Sequence, residues 1–182
     1  MKCQLPAKLV EETIEFHGHS CPGLAIGIRA AEYALRELKD TSAEDFLCIT
    51  ETDMCGVDGI QYLTGCTFGK GNLIHLDYGK AAFSFHDRKS GKAFRLLLRP
   101  EAKQGKEKEQ LDREQLQQLL MEKSLEEIFE LIPLAERPPR RARVLASIIC
   151  EECGEETMES RTRRFAGKTL CIPCFGDVEQ KI

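Results

Sequence analysis

The sequence predicts an α+β domain, in which helices pack on an antiparallel sheet, followed by a small four-cysteine zinc-binding domain. Helical periodicity dominates the N-terminal region, and short strand-like runs separated by turns follow it. Near the C-terminus, two CxxC pairs lie seventeen residues apart. A length of 182 residues suits one domain of ordinary size with a small appendage.

Apolar periodicity and helix stop signals define the elements of the first domain. Pro6 and Pro22 each suit the first turn of a helix, and Gly65 suits the residue that follows one. Runs of strand-forming residues bounded by glycine-containing turns predict an antiparallel meander. The predicted elements are helices over 6–16, 22–38 and 57–64, a strand over 46–50, and meander strands over 73–77, 81–86 and 93–98.

A charged stretch that begins at residue 101 predicts a helical linker region. Within it we expect helices over 112–122 and 124–131, the second begun by a capping box of Ser124 and Glu127. Prolines and a basic run then separate the C-terminal module. The predicted domains are 1–100, the helical linker region 101–142, and a zinc ribbon or zinc finger over 143–182.

The two CxxC pairs predict a structural zinc site. Two such pairs can present four thiolates at the corners of a tetrahedron, as structural Zn²⁺ requires. The module is too small to fold around an apolar core alone, so we expect the metal to supply its folding free energy. The predicted ligands are Cys150, Cys153, Cys171 and Cys174.

Composition and the N-terminal residues indicate a cytoplasmic protein. The first residues lack the apolar stretch of a signal peptide, and no apolar run approaches bilayer-spanning length, so we expect no membrane association. In a reducing compartment, the nine cysteines would serve as metal ligands or reactive thiols rather than as disulfides. The formal net charge of −4 gives no global footprint for nucleic acid.

A second group of metal-binding residue types lies between the first two helices, at His17, His19 and Cys21. In an extended segment alternate side chains share a face, and Pro22 biases Cys21 toward that conformation. Cys21 would then be the N-cap of the second helix, where the helix dipole and free amides stabilise a thiolate. We therefore expect a transition-metal or redox site with room for an exchangeable fourth ligand, and Cys21 as its reactive thiol.

Three of the other cysteines of this domain are Cys48, Cys55 and Cys66. Cys55 precedes the third helix as Cys21 precedes the second, so it is a candidate fourth ligand or a resolving thiol for Cys21. Cys21 and Cys55 are thus the candidate catalytic residues. The alternative for Cys55 and Cys66 is a small core residue, which is the interpretation we favour for Cys48 in its apolar strand.

Three strings, FHGHSCPGLAIGIRAAEYAL, ETDMCGVDGIQYLTGCTFGKGNL and DYGKAAFSFHDRKSGKAFR, resemble the FmdE family. That family is named for the FmdE component of molybdenum or tungsten formylmethanofuran dehydrogenase, and the resemblance covers about residues 10–100. It implies an α+β domain, often dimeric, with a metal or redox site at the HGHxC segment. The C-terminal module resembles a zinc ribbon or a DksA/TraR-type zinc finger. The positions that match the family's histidine and cysteine pattern are His17, His19, Cys21, Cys55 and Cys66.

The resemblance implies a metal-binding accessory protein of an anaerobic, one-carbon oxidoreductase system, with a structural zinc and a second transition metal. Its partners would be a second copy and oxidoreductase subunits. A stand-alone metal-dependent enzyme is the alternative, for which Asp53 or Asp58 could act as general base. A regulatory or nucleic-acid-binding ribbon is a third interpretation. The basic residues that favour it are Arg140, Arg141, Arg143, Arg161, Arg163, Arg164 and Lys168.

The helix that begins at Pro22 carries apolar residues around much of its circumference. Such a helix is buried on more than one side, by its own sheet or by a partner. Together with the resemblance, this pattern predicts a homodimer built through the first domain.

Overall fold

The structure is a computed structural model that describes residues 2–105, 111–135 and 138–178. The chain divides into two units, Met1–Arg141 and Ala142–Ile182. Among the described residues, no helix has both the length and the apolar character that crossing a bilayer requires.

The helices of the first unit are α1 (Ala7–His17), α2 (Pro22–Glu37), α3 (Gly56–Thr64), α4 (Arg113–Glu122) and α5 (Leu125–Ile128). Gly18 and Gly65 end α1 and α3 in the left-handed region, with φ of 90° and 67°, where glycine lacks the Cβ that strains other residues. Ser124 and Glu127 form the predicted capping box of α5. The helix boundaries predicted before residue 100 are therefore correct to within a residue or two.

Within the described residues, a five-stranded mixed sheet has the order β2-β1-β3-β4-β5. Its strands are β1 (Phe46–Thr50), β2 (Leu73–His75), β3 (Ala82–Asp87), β4 (Ala93–Leu98) and β5 (Phe129–Pro133). Apolar side chains at alternate positions of β1, β3 and β4 pack with α2 in one core; they are Phe46, Cys48, Phe83, Phe85, Phe94, Leu96 and Leu98. The predicted α+β class is confirmed.

The predicted antiparallel meander is wrong at its first strand. β2 pairs with β1, and that pairing is parallel, with Ile74 opposite Ile49. A parallel neighbour needs a crossover, and α3 supplies it by carrying the chain from the end of β1 to the start of β2. Only β3 and β4 form the antiparallel hairpin that the turn residues predict.

The predicted helix over 124–131 is also too long. It ends at Ile128, and the chain continues as β5, which pairs antiparallel with β4 and places Leu131 opposite Leu96. Residues 129–133 form backbone hydrogen bonds with the open edge of β4 instead of extending the short helix α5, so tertiary pairing overrides helical propensity. Because β5 is a strand of the main sheet and α4 packs against α2, residues 111–135 complete the first unit. The structure thus corrects the predicted linker region over 101–142.

Every residue of α2 from Leu24 to Ala34 is buried within this chain. Its own sheet, α3 and α4 cover the apolar circumference that predicts a partner. The homodimer is not needed to bury this helix and stays a prediction.

A buried arginine ties two distant segments to α2. Arg29 donates from Nη1 to Glu32 Oε2 at 2.7 Å and from Nη2 to the carbonyl oxygen of Lys123 at 2.6 Å. Glu32 Oε1 accepts the backbone N–H of Gln4 at 2.7 Å. Because a buried charge is tolerated only with such partners, this network fixes the N-terminal segment and the end of α4 against α2.

The described part of the second unit consists of two short antiparallel hairpins, a 3-10 turn over Glu159–Arg161 and one short α-helix. Its elements are β6 (Ser147–Ile149), β7 (Glu156–Met158), β8 (Thr162–Phe165), β9 (Lys168–Cys171) and α6 (Ile172–Gly176). Its small core consists of Cys150, Leu170 and Cys171 with flanking contacts from Phe175 and Val178. Two of its three buried residues are thus cysteines of the predicted zinc site.

Helices α2 and α3 cross at glycines. A Cβ on Gly27 would lie 1.9 Å from the carbonyl oxygen of Gly56, and a Cβ on Gly56 would lie 2.9 Å from that of Gly23. Only glycine permits so close an approach of two backbones. The crossing sets the N-terminal ends of α2 and α3 against each other, and both helices have a cysteine as N-cap residue.

Gly27→Ala should destabilise the protein, because the new methyl group overlaps a backbone oxygen that cannot rotate away. We expect a loss of about 3 kcal/mol in the free energy of unfolding, at the upper end for overpacking. Gly69→Ala is the matched control, since a Cβ at Gly69 meets nothing within 4 Å. Urea denaturation measures both, and equal midpoints for the two variants would contradict the crossing.

Candidate metal centres

Two groups of ligand-type side chains come together in the structure. The N-terminal cluster consists of His17, His19, Cys21 and Cys55, and one donor atom from each lies within 4.8 Å of the others. The C-terminal cluster consists of Cys150, Cys153, Cys171 and Cys174, under the same limit. Among the described residues, the structure assembles no other group of this kind.

The ends of three helices assemble the N-terminal cluster. His17 is the last residue of α1, Cys21 is the N-cap of α2, and Cys55 is the N-cap of α3. The extended conformation expected for the segment from His17 to Cys21 is found at Cys21, with φ −157° and ψ 162°, whereas His17 is still helical. Gly18 turns the chain by its positive φ, and this turn leaves the ring centroids of His17 and His19 4.5 Å apart.

A carboxylate orients His17. Its Nδ1 lies 2.7 Å from Asp58 Oδ2, and because an ionised carboxylate only accepts, Nδ1 carries the proton. The other ring nitrogen, Nε2, is buried and has no hydrogen-bond partner among the described residues. A carboxylate that fixes the tautomer of a ligating histidine is the common outer partner of protein metal sites. The sequence suggests Asp58 only as a possible general base, although its position one turn after Cys55 is visible there.

The two thiols of the cluster have different surroundings. Cys21 Sγ accepts the backbone N–H of Leu24 at 3.3 Å, which confirms the predicted N-cap. Cys55 makes no side-chain cap bond. Burial, and next the neighbouring Cys21 thiol, raise the pKa of the Cys55 thiol. A bound cation would offset this cost of ionising Cys55, because its positive charge stabilises both thiolates.

The donor set fits a transition metal. Two imidazole nitrogens and two sulfurs suit zinc, copper, iron or nickel, and the free Nε2 of His17 is the atom that ligation would satisfy. Two carboxylates that could have joined the donor set, those of Asp53 and Asp58, are not part of it. Asp58 reaches the cluster through its hydrogen bond to His17. The cluster therefore has the chemistry of a metal site, with the metal's identity open.

Cys66 does not belong to the N-terminal cluster, which corrects its predicted role as a ligand. It follows the C-terminal end of α3, whereas Cys55 precedes the N-terminal end, and nine helical residues span about 14 Å. Cys66 is fully buried in the main core with Cys48, and burial raises the pKa of both thiols. Both are core residues, the alternative that the sequence left open for Cys66.

The C-terminal cluster has the geometry of a four-sulfur zinc site. Cys153 Sγ and Cys171 Sγ are 3.9 Å apart, close to the roughly 3.8 Å between corners of a tetrahedron with Zn–S bonds of about 2.3 Å. Cys150 Sγ accepts the N–H of Cys171 at 3.3 Å, and Cys171 Sγ accepts that of Cys174 at 3.5 Å. Backbone N–H groups, that of Cys153 first, lower the pKa of Cys150 to about 6. The geometry of this cluster and the lowered pKa of Cys150 therefore support zinc as its metal.

The basic hairpin β8–β9 is partly engaged within the module itself. Lys168 Nζ lies 2.8 Å from Glu152 Oε2, and the ring of Phe165 packs edge-on against Phe175 with centroids 6.3 Å apart. Arg163 and Arg164 are exposed. Nucleic-acid binding by this hairpin stays a prediction.

Family models match both parts of the chain. The model described as "FmdE, Molybdenum formylmethanofuran dehydrogenase operon" matches residues 16–133. The model described as "Prokaryotic dksA/traR C4-type zinc finger" matches residues 145–180. The resemblance drawn from the sequence is confirmed on both counts.

Two known proteins are similar along most of the chain. A tungsten formylmethanofuran dehydrogenase subunit e (FmdE)-like protein from Syntrophus aciditrophicus, known from a crystal structure, is 27% identical, with a TM-score of 0.75 and 97% of each chain covered. A protein of Archaeoglobus fulgidus named "Probable S-adenosyl-L-methionine-binding protein" is 33% identical over 197 residues. That match takes in 93% of this chain and 53% of the relative, so the chain spans about half the length of this curated relative.

Cys171→Ser should abolish zinc binding by the C-terminal module and unfold that module, because its few apolar contacts centre on the ligands themselves. Zinc content of the purified protein and proteolysis within residues 142–178 measure the two effects. Cys3→Ser is the control, since Cys3 lies outside both clusters. Zinc content equal to that of the wild type in Cys171→Ser would refute the site.

Proposed function

The chain belongs to the FmdE family, and from that premise we propose that it is a metal-binding accessory protein of a molybdenum or tungsten formylmethanofuran dehydrogenase-like oxidoreductase system. One observation supports the metal-binding role most directly. His17 has a buried Nε2 without a hydrogen-bond partner among the described residues, while Asp58 holds the opposite nitrogen. A buried polar atom left unsatisfied is costly, and metal ligation removes that cost.

Each residue of the N-terminal cluster has a distinct part in this proposal. His17, His19, Cys21 and Cys55 would hold the ion, and Asp58 would orient His17 and fix its proton on Nδ1. A transition metal held there supplies Lewis acidity or electron transfer when bound. The N-terminal ends of α2 and α3 stabilise negative charge on the two sulfurs. Cys21 and Cys55 would be the redox-active or ligating thiols.

The proposed partners and location follow from the family. The matching family and the similar Syntrophus protein are both named for formylmethanofuran dehydrogenase, and subunits of such an enzyme are the proposed partners, together with a second copy of this chain. We place the protein in the cytoplasm, where thiols stay reduced. The zinc of the C-terminal module is structural in this proposal.

An accessory role is preferred to that of a stand-alone hydrolytic enzyme. A metal-assisted hydrolase needs a base beside the metal-bound substrate. Among the described residues, the carboxylate in hydrogen-bond contact with the cluster is that of Asp58, and it is already engaged by His17. Asp58 is therefore not available as the free base that hydrolysis needs.

The purified wild type should bind two metal equivalents per chain, one in each cluster. His17→Gln should bind one, and Asp58→Asn should weaken the N-terminal site by about 10–100-fold, as loss of an outer partner does elsewhere. Cys66→Ala is the control and should keep both equivalents, because Cys66 lies in the core. Metal analysis by mass spectrometry after gel filtration checks all four proteins.

Two outcomes would contradict this proposal in different ways. Metal loss in Cys66→Ala but not in His17→Gln would move the site elsewhere. The accessory role itself is tested by pull-down from the native host with the tagged wild type and tagged His17→Gln. If neither protein brings down subunits of a molybdenum or tungsten enzyme, the accessory role is removed.

A second candidate function is the binding of S-adenosyl-L-methionine, which the name of the archaeal relative favours. Equilibrium dialysis of the full chain with the labelled compound tests it. We expect saturable binding if the part of the relative matched here carries that property. Retention no greater than that of a non-binding control protein would remove this candidate.

A further inference from the structure

The four ligands of the N-terminal cluster differ in how far they are buried. Cys21 is 4% exposed, and the side chain of His17 is 10% exposed. Cys55 is half-buried, and His19 is exposed. One face of the cluster is therefore open to solvent, and His19 stands on it.

The ligands also differ in what holds them. Asp58 fixes His17, the N–H of Leu24 holds the sulfur of Cys21, and the Cβ of Cys55 lies at the glycine crossing, 3.3 Å from the position of a Cβ on Gly23. Among the described residues, none forms a hydrogen bond with the ring of His19, which rests against that of His17. The structure thus anchors three ligands and leaves the fourth without an outer partner.

The backbone around His19 permits movement at small cost. Gly18 adopts a φ of 90° and has open space around it, since a Cβ there would meet nothing within 4 Å. Ser20 is exposed, and its one described side-chain bond is to Gln117, at 2.6 Å. Because neither neighbour is packed, a rotation of His19 away from the cluster gives up little buried area.

We infer that His19 is the exchangeable ligand of the N-terminal cluster, the one that yields its place to an external thiolate. This inference rests on the proposed function, in which the cluster holds a transition metal. With His19 withdrawn, His17, Cys21 and Cys55 remain as three anchored ligands around one open position. Three protein ligands with one exchangeable position is the plan of reactive rather than structural metal sites.

The charges around the open position favour an anionic sulfur donor. A divalent ion and the thiolates of Cys21 and Cys55 sum to zero, so an incoming anion meets no net negative charge at the ligands. Two helices, α2 and α3, direct their N-terminal ends at the cluster and add positive partial charge. The carboxylate of Asp58 is the opposing group, and the ring of His17 engages it at 2.7 Å. The thiol releases its proton to water as the neutral imidazole leaves.

The test uses the full chain with zinc in the C-terminal cluster, Co²⁺ as the probe of the N-terminal cluster and 2-mercaptoethanol as the external thiol. Absorption by sulfur-to-cobalt charge transfer reports the number of bound sulfurs. His19→Ala should keep Co²⁺ and take up the thiol at about tenfold lower concentration than the wild type, because no internal ligand competes. His75→Ala, which changes an exposed histidine of β2, should behave as the wild type.

His17→Ala provides the contrast, because it removes an anchored ligand. It should lose Co²⁺ affinity by about a hundredfold, far more than His19→Ala. Equal losses in His17→Ala and His19→Ala, or a His19→Ala spectrum that the thiol leaves unchanged, would overturn the exchange role alone. A wild type that binds no Co²⁺ beyond its C-terminal cluster would instead overturn the proposed function and this inference with it.

Discussion

The contact between the glycines of α2 and α3 determines where the chemistry of this protein lies. Gly27 and Gly56 let two backbones approach more closely than any side chain would allow. Because each helix has a cysteine at its N-cap, the crossing brings the sulfurs of Cys21 and Cys55 together. The end of α1 and the following turn then add the two imidazoles. The ligand set is thus a consequence of helix packing and does not require a dedicated binding loop.

Bringing two thiols together at helix N-termini creates an electrostatic problem that a cation solves. Burial, and next the neighbouring Cys21 thiol, raise the pKa of Cys55 and so disfavour a second thiolate. The helix dipoles and the N–H of Leu24 act in the opposite direction and favour thiolates there. Asp58 adds a further negative group behind His17. A divalent cation compensates the charge of the two thiolates. The same arrangement makes the cluster sensitive to the ion's charge and softness, which suits selection among transition metals.

Local signals in the sequence predicted the parts of this structure that depend on neighbouring residues. The N-cap at Cys21, the capping box at Ser124 and the four-cysteine pattern of the module are all short-range features, and each is found where the residues indicate. Long-range pairings were missed. Neither the parallel placement of β2 nor the pairing of β5 with β4 has a local signature, since both depend on which sheet edge is open.

The candidate site shows the same division. His17, His19, Cys21 and Cys55 were predicted as ligands from residue type and position before a helix, and the structure brings these four together. The prediction of Cys66 as a ligand was wrong. A family pattern shows which residues match, but it does not show which end of α3 lies at the cluster. Asp58 was assigned another role, since one turn of spacing from Cys55 cannot show that its carboxylate reaches a histidine forty-one positions away.

The two clusters use metal ligands in opposite structural settings, and this difference fits opposite roles. In the first unit, a large apolar core already fixes α2 and α3, so the ligands at their ends keep their places whether or not an ion is bound. The proposed ion there is therefore not what holds the unit together. In the second unit, Cys150 and Cys171 are themselves most of the core, so an ion that left would take the fold with it. A structural role therefore fits the C-terminal cluster, and the proposed reactive role fits the N-terminal one.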